Sequence, residues 1–500
     1  LPPPDYFDFK EQTVSNGVLS NFVGAGFIFC GGLSSDLFVP SGVQMERVQE
    51  YLPSELTYIN VWKGLAAYAH PTVEAKETEM EIVFHWLDRT FGAFLAVPMW
   101  DVSRAFDELD DRKASGVYWR QTIGSQKGDV KSLYSGEQLI QFFETHTPVY
   151  SSSLKPELRM VGVDGQVKPA RLFMPMPTEM AQVGNFLFGA QNESLSRNNL
   201  KHPITIGLQI PGVPLILLYD RLRAKNNQHC NDADGSKYDA NFANFLAVLC
   251  RDLRKRYLPK QFHAMVDRYY NATYCSYVDV LGNIVILNHQ KSGQTNTAMD
   301  NSLGSCACMY LAAIRKGWTY EQFYERIEFF VNGDDLIFSS NDESFDMTYV
   351  ADVYRSWGCY LDSDSPHFKE LSLCSYLGTN PTVRTVGDQL VPLYSFRTSK
   401  IVSSFSWFRK GTTMDDHLSK FAALVLLSYG DEQLYAETTE LVRNWVVLQQ
   451  SYGVVFSVQS FASLMAFVND PWACFLVYTG LDLLLNQKRD LRFVLEALEF

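Results

Sequence analysis

Apolar positions recur along this chain with a helical and a strand-like period, and the changes of period mark out its elements. Helical spacing predicts helices over 66–110, 135–146, about 240–256 and 343–357, and one running from the loop KSGQTN to about Lys316. Residues 149–180 include an extended, basic stretch, VYSSSLKPELRMVGVDGQVKPARLF, with a turn at Val163-Asp164-Gly165. Residues 275–289 predict strand–turn–strand about Leu281-Gly282-Asn283, and 329–340, FFVNGDDLIFSS, a hairpin. Asn332-Gly333 is the hairpin signal there. Short strands continue to about 402, and the last hundred residues are mostly helical. Residues 1–60, rich in Gly, Pro, Ser and aromatics, have little periodicity and read as irregular or β-containing. There are no repeats and no low-complexity segment. A mixed α/β core between an irregular front and a helical tail predicts subdomains and not independent domains.

Composition narrows this picture. With 46% hydrophobic and 14% aromatic residues over 500 positions, the chain can bury a large core. A net charge of −13 excludes charge-driven nucleic-acid binding over the whole surface, but leaves room for a local basic channel. Nine cysteines without a Cys-x-x-Cys pair indicate reduced thiols, neither a zinc site nor a disulfide framework. Cys306 and Cys308 lie two apart on a predicted helix and point in different directions. No apolar run reaches membrane-span length; the nearest, 461–485, is broken by Asn469-Asp470-Pro471. No signal peptide is visible, and a start at Leu1 implies trimming or release from a longer precursor.

Three constellations carry chemistry. Asp334 and Asp335 interrupt an apolar run, where carboxylates must be paired, metal-bound or exposed at a turn. Asp234 ends a predicted strand and Asp239 starts a helix; as structure alone these are acidic caps. As chemistry, Asp234 opposite Asp334 calls for cations, and Mg²⁺ needs only one or two carboxylates besides substrate phosphates. In SGQTNTAMDN, Ser292-Gly293 is a flexible turn, while Thr297 and Asn301 share a helix face. Gly293 lets the loop approach a nucleic-acid backbone, and Ser292 and Asn301 offer polar groups to a sugar. Lys155, Arg159, Lys168 and Arg171 alternate with apolar positions: a solvated charge run, or a grip for a triphosphate.

Asp-x4-Asp, then Ser-Gly-x3-Thr-x3-Asn, then Gly-Asp-Asp, in that order, resembles the viral RNA-dependent RNA polymerases of the picornavirus-like supergroup, most closely the potyvirus type. The strings DADGSKYD, SGQTNTAMDN and FFVNGDDL carry the likeness. KPELR…KPAR (155–171), KASGVYW (113–119), DSDSPHFKELSLCSYLG (362–378) and IVSSFSW (401–407) extend it. The resemblance implies an α+β, closed right hand whose palm is an antiparallel sheet with helices on one face. Its parts would be fingers and fingertips over 1–225, palm over 226–260, a fingers insertion over 261–290, palm again over 291–400 and a small helical thumb over 401–500.

It further implies two Mg²⁺ ions, with Mn²⁺ able to substitute, on Asp234 and Asp334 with Asp335 in support. Asp239, Ser292, Thr297 and Asn301 would read ribose; Lys155, Arg159, Lys168 and Arg171 would hold the nucleoside triphosphate. Ser115, Gly116 and Gly293 would contact RNA. Lys369 would be the general acid, with His367 a rival, and Asp232 is read as a solvated strand-entry residue in preference to a third metal ligand. A sugar-reading Asp239 argues against a reverse transcriptase, unless the register slips by one and brings Tyr238 to that place. A catalytically silent RNA-binding scaffold is the other alternative. Expected partners are RNA template and product, a genome-linked protein primer and other viral replication proteins. The expected location is the host cytoplasm, at membrane-associated replication complexes reached through partners.

Overall fold

A computed structural model describes residues 27–29, 50–69, 73–162, 164–386, 389–409 and 413–481. Most of the irregular front, Cys30, Val163 of the expected turn and the end of the tail lie outside the described residues.

The site is organised by a four-stranded antiparallel sheet in the order Ile327–Asn332, Asp335–Ser340, Cys230–Gly235, Leu361–Asp362. Phe329 and Phe330 are adjacent, so they face opposite sides of this sheet. Phe329, Val331, Leu336, Phe338 and Ala233 join the core built on the Thr297–Arg315 and Met347–Ser356 helices. Phe330, Ile337 and Cys230 join a second core with Leu215, Leu218, Tyr219 and Leu222 of the Val213–Asn226 helix. Helices therefore cover both faces and not one, because the central strands are apolar on both.

The predicted 66–110 helix is three helices, Tyr58–Ala66, Glu77–Leu95 and Val102–Asp107. The longest buries Val83, Trp86, Leu87, Phe91 and Leu95 along one stripe, with Glu77 and Glu79 favoured at its positive end. The Thr178–Arg197 helix escaped sequence reading because most of it is buried, so it has no polar face to set a period. The 275–289 reading holds: Cys275–Val280 pairs with Asn283–Asn288 around Leu281 (φ 54°) and Gly282 (φ 85°). Asp279 accepts from Gly282 N at 2.8 Å, which steadies a conformation that leucine rarely adopts.

The front of the chain pairs with two segments far along the sequence. Phe27–Phe29 pairs with Trp407–Arg409, and Tyr51–Pro53 pairs with Leu158–Met160 of the basic stretch. In the tail, the Val458–Asn469 and Pro471–Thr479 helices meet at 100° where Asp470 caps the second. Among the described residues no single helix is long and apolar enough to cross a membrane.

Candidate active site

The Asp-Asp hairpin is built one residue later than its sequence signal. Asn332 pairs with Asp335, so the turn residues are Gly333 and Asp334, with Gly333 at φ 66°. Two serines of the Thr297–Arg315 helix hold this turn: Ser302 Oγ accepts from Gly333 N at 2.8 Å, and Ser305 Oγ donates to Gly333 O at 3.0 Å. The residue opposite Asp234 is accordingly Asp335, not Asp334. Asp334 lies beside them, its carbonyl accepting from Gly235 N at 2.9 Å. A side chain at Gly235 would meet Asp334 Cβ at 2.8 Å, so glycine permits the approach. On the other flank Asp362 stands opposite Asp234.

This crowding has an electrostatic signature. Desolvation, and next the charge of Asp234, push both Asp334 and Asp335 up to about 7. Asp234 keeps part of its surface exposed, and its carboxyl is raised by partial desolvation and by Asp362. Among the described residues no group of three or more acidic, His or Cys side chains is placed to hold a metal ion by itself. An anionic, partly desolvated oxygen donor set of this kind fits a divalent cation.

Asp232 is a correction to the sequence reading. Its side chain is 14% exposed, not solvated, and its Oδ1 lies 2.5 Å from Lys369 Nζ. The antiparallel backbone pairing of Cys230 with Lys369 brings this lysine alongside the strand that carries Asp232 and Asp234. Lys369 also donates to Asp364 at 2.6 Å. Burial opposes its charge, but these hydrogen bonds outweigh burial and hold it above the usual lysine range. His367 is exposed on the same loop.

Asp239 meets Asn301 as expected, with Asn301 Nδ2 donating to Asp239 Oδ1 at 2.6 Å. Tyr238 points the other way: it is 2% exposed, and its hydroxyl lies 2.9 Å from Ser305 Oγ, which can accept from it while donating to Gly333 O. No register slip brings an aromatic ring to the Asp239 position. Ser292 Oγ is buried beside this pair, close enough that, with Asn301, it pulls the Asp239 carboxyl down against the larger upward push of desolvation. Thr297 does not join the network. Its hydroxyl donates to Lys291 O at 2.8 Å and Gln294 O at 3.0 Å, satisfying the loop at the start of the helix.

Three of the four expected cations gather on Glu157. Arg171 donates to it from Nε at 2.6 Å and Nη2 at 2.5 Å, and Arg159 and Lys155 each lie 3.6 Å away. Arg171 is also within electrostatic reach of Asp334 and Asp234. Lys168 is exposed and forms no ion pair among the described residues.

Residues 42–445 match the family model for viral RNA-dependent RNA polymerases. The chain belongs to that family. The polymerase is 24% identical over 401 residues to genome polyprotein 1 of Barley yellow mosaic virus (isolate Germany), covering 75% of the chain and 16% of that polyprotein. It is 26% identical over 444 residues to the genome polyprotein of Beet mosaic virus, covering 81% of the chain and 13% of that polyprotein. It thus spans about one sixth or less of the curated relatives it matches. Its fold superposes on a sicinivirus 3Dpol RNA-dependent RNA polymerase with a TM-score of 0.68 at 14% identity, covering 93% of this chain and 98% of that one. The α+β right-hand fold expected from the motifs is therefore the observed one.

Two expected RNA contacts of the polymerase are corrected by burial. Ser115 is 0% exposed; its hydroxyl donates to Gly124 O at 2.6 Å and its carbonyl accepts from Thr178. Gly116 is also buried, and a side chain there would strike Pro177 at 2.7 Å. Both pin a loop to the Thr178–Arg197 helix, so neither is available to a template. Gly293 is partly exposed, but its clearest task is packing, since a Cβ would lie 2.3 Å from Met174 O. Sequence reading missed Glu157, Asp362, Ser302 and Ser305. Glu157 was visible as the lone acid in KPELR; the others are recognisable only from what they pack against.

Proposed function

We propose that this polymerase copies a positive-strand viral RNA genome from ribonucleoside triphosphates by two-Mg²⁺ nucleotidyl transfer. The observation that carries the reading is the Asp234–Asp335 cross-strand pair, with Asp334 in the adjoining turn and Asp239–Asn301 close by. Asp234 and Asp334 would hold the ions, supported by Asp335. Mg²⁺ bound there supplies charge neutralisation at the attacking and leaving oxygens, and Mn²⁺ can substitute.

The residues of the chain do the rest. Arg171, steadied by Glu157, offers a planar fork to the triphosphate, with Arg159 and Lys155 behind it. The primer 3′-hydroxyl gives its proton to solvent water as it attacks the α-phosphate, the bond to the bridging oxygen breaks, and pyrophosphate leaves with the electron pair. Lys369, kept protonated by Asp232 and Asp364, gives that oxygen a proton. Asp239 and Asn301 take the ribose hydroxyl, while template pairing selects the base. The division into fingers (1–225), palm (226–260 and 291–400), insertion (261–290) and thumb (401–500) belongs to the same reading. So do excision from a polyprotein, a genome-linked protein primer, other replication proteins as partners, and work at host cytoplasmic membranes reached through them.

Primed extension on a short RNA template, with Mg²⁺ and either ribo- or deoxyribonucleotides, tests this reading. Extension with ribonucleotides and weak use of deoxyribonucleotides is the expected result. Equal use of both would favour a reverse transcriptase-like enzyme. Tight RNA binding without extension, even with a protein primer supplied, would favour a silent scaffold. Lys369→Arg preserves the ion pairs but is a much weaker proton donor, and is expected to slow extension roughly 10²-fold or more. Single-turnover rates matching the wild type would remove Lys369 from the proton transfer.

A further inference from the structure

The hydrogen bonds that reach Asn301 all run in one direction through a line of buried side chains. Tyr269 Oη donates to Gln294 Oε1 at 3.1 Å, and Gln294 Nε2 donates to Gln290 Oε1 at 2.8 Å. Gln290 Nε2 donates to Asn301 Oδ1 at 3.5 Å, and Asn301 Nδ2 donates to Asp239 Oδ1 at 2.6 Å. Gln290 is 0% exposed, Gln294 7% and Asn301 5%, so water does not compete along the line.

Both ends fix the direction. Gln294 Oε1 also accepts from the backbone N–H of Asn296 at 3.1 Å, and a backbone N–H can only donate. At the far end an ionised Asp239 can only accept. Turning any one amide over would set oxygen against oxygen or N–H against N–H. The backbone is held as well: Gln290 N donates to Asp239 O at 3.1 Å, and Tyr68 donates to Gln290 O at 3.2 Å. With Gln290 holding its orientation, Asn301 keeps one N–H free to donate to a sugar. Asp239 presents only an acceptor. A ribose 2′-hydroxyl, which donates and accepts, satisfies both; a 2′-deoxy sugar satisfies neither.

We propose that Gln290 and Gln294 are positioning residues for sugar selection, which lock the Asn301 amide so that Asn301 and Asp239 together accept a ribose 2′-hydroxyl. This rests on the polymerase reading above. Neither glutamine touches the nucleotide; each acts through Asn301.

The test is single-nucleotide incorporation on a primed RNA template, measuring kcat/KM for a ribonucleotide and its 2′-deoxy counterpart. Wild type, Gln290→Met and Gln294→Glu are compared. Methionine keeps the length of the side chain and removes the donor. Glutamate keeps the acceptor for Tyr269 and Asn296 but offers nothing to Gln290. The ribo/deoxy ratio is expected to fall roughly two- to fivefold in Gln290→Met, in keeping with the lower range for a single, long amide hydrogen bond. The loss should lie in ribonucleotide use, with deoxynucleotide use nearly unchanged, and Gln294→Glu should show a smaller fall of the same kind. Equal losses for both nucleotides, leaving the ratio at the wild-type value, would overturn the proposal and leave the glutamines as packing. If Gln290→Met does not fold, Gln294→Glu carries the same comparison. A wild type that incorporates neither nucleotide would instead strike at the polymerase reading itself.

Discussion

Asp334→Asn is expected to cut templated extension by roughly 10³-fold or more, beyond the loss from removing one transition-state hydrogen-bond donor. Asparagine keeps the size of the side chain, and the turn stays anchored because Ser302 and Ser305 hold Gly333 through its backbone. What disappears is a negative charge in a group whose use is charge. The stability of the protein moves the other way. Desolvation and Asp234 raise Asp334 from the usual 3.8 to about 7, so its ionisation opposes folding. The native state without metal therefore binds the proton more tightly than the unfolded chain. That contribution to stability is full below about pH 4 and is lost as the pH climbs through about 7. A neutral side chain escapes the penalty, so the variant should melt no lower than wild type at pH 8 without metal. Added Mg²⁺ should raise the melting temperature of wild type more than that of the variant. Parallel measurements of extension rate and thermal midpoint check both halves. Extension at the wild-type rate would take Asp334 out of the metal site.

Arg254→Met is expected to destabilise the fold by about 3–5 kcal/mol, the usual cost of leaving one partner of a buried ion pair alone. Arg254 and Asp300 are each 0% exposed, and the guanidinium meets Asp300 Oδ1 from two nitrogens at 2.9 Å. Tyr270 donates to the second carboxylate oxygen at 2.9 Å, and Gln191 donates to the Arg254 carbonyl at 3.2 Å. Burial opposes the charge on Arg254, yet Asp300 and Tyr270 outweigh it and keep the group above the ordinary arginine range. Methionine fills much the same volume, so the expected loss comes from an unpaired carboxylate and not from a cavity. Arg254→Met combined with Asp300→Leu should recover most of it, because no buried charge is then left. Urea midpoints of the two single variants and the double variant close the cycle. A single variant within about 1 kcal/mol of wild type would mean that water reaches Asp300, contrary to its complete burial here.

Local signals were legible wherever they depend on neighbours in the chain. Alternation and turn residues marked the 275–289 and 329–340 hairpins, and spacing brought out Asp234, Asp239, Asn301 and the Asp334-Asp335 pair. The basic stretch was recognisable as such, although only Lys155, Arg159 and Arg171 gather on Glu157 while Lys168 remains outside. The Thr178–Arg197 helix was illegible because burial all round erases the amphipathic period. Ser115 and Gly116 were misread for a related reason. A small polar loop has the same composition whether it faces RNA or, as here, is buried against Pro177 and Thr178.

The sequence by itself determined the family, the order of the motifs and the carboxylates Asp234, Asp239, Asp334 and Asp335 as candidates, since these rest on residue type and short spacing. Tertiary structure alone decided that Asp335 and Asp362 flank Asp234, that Asp232 pairs with Lys369, and that Tyr238 turns into the core. Those outcomes depend on strand register and on contacts between residues far apart in the chain. A shift of one position there reverses the face a side chain occupies while leaving the local pattern almost unchanged.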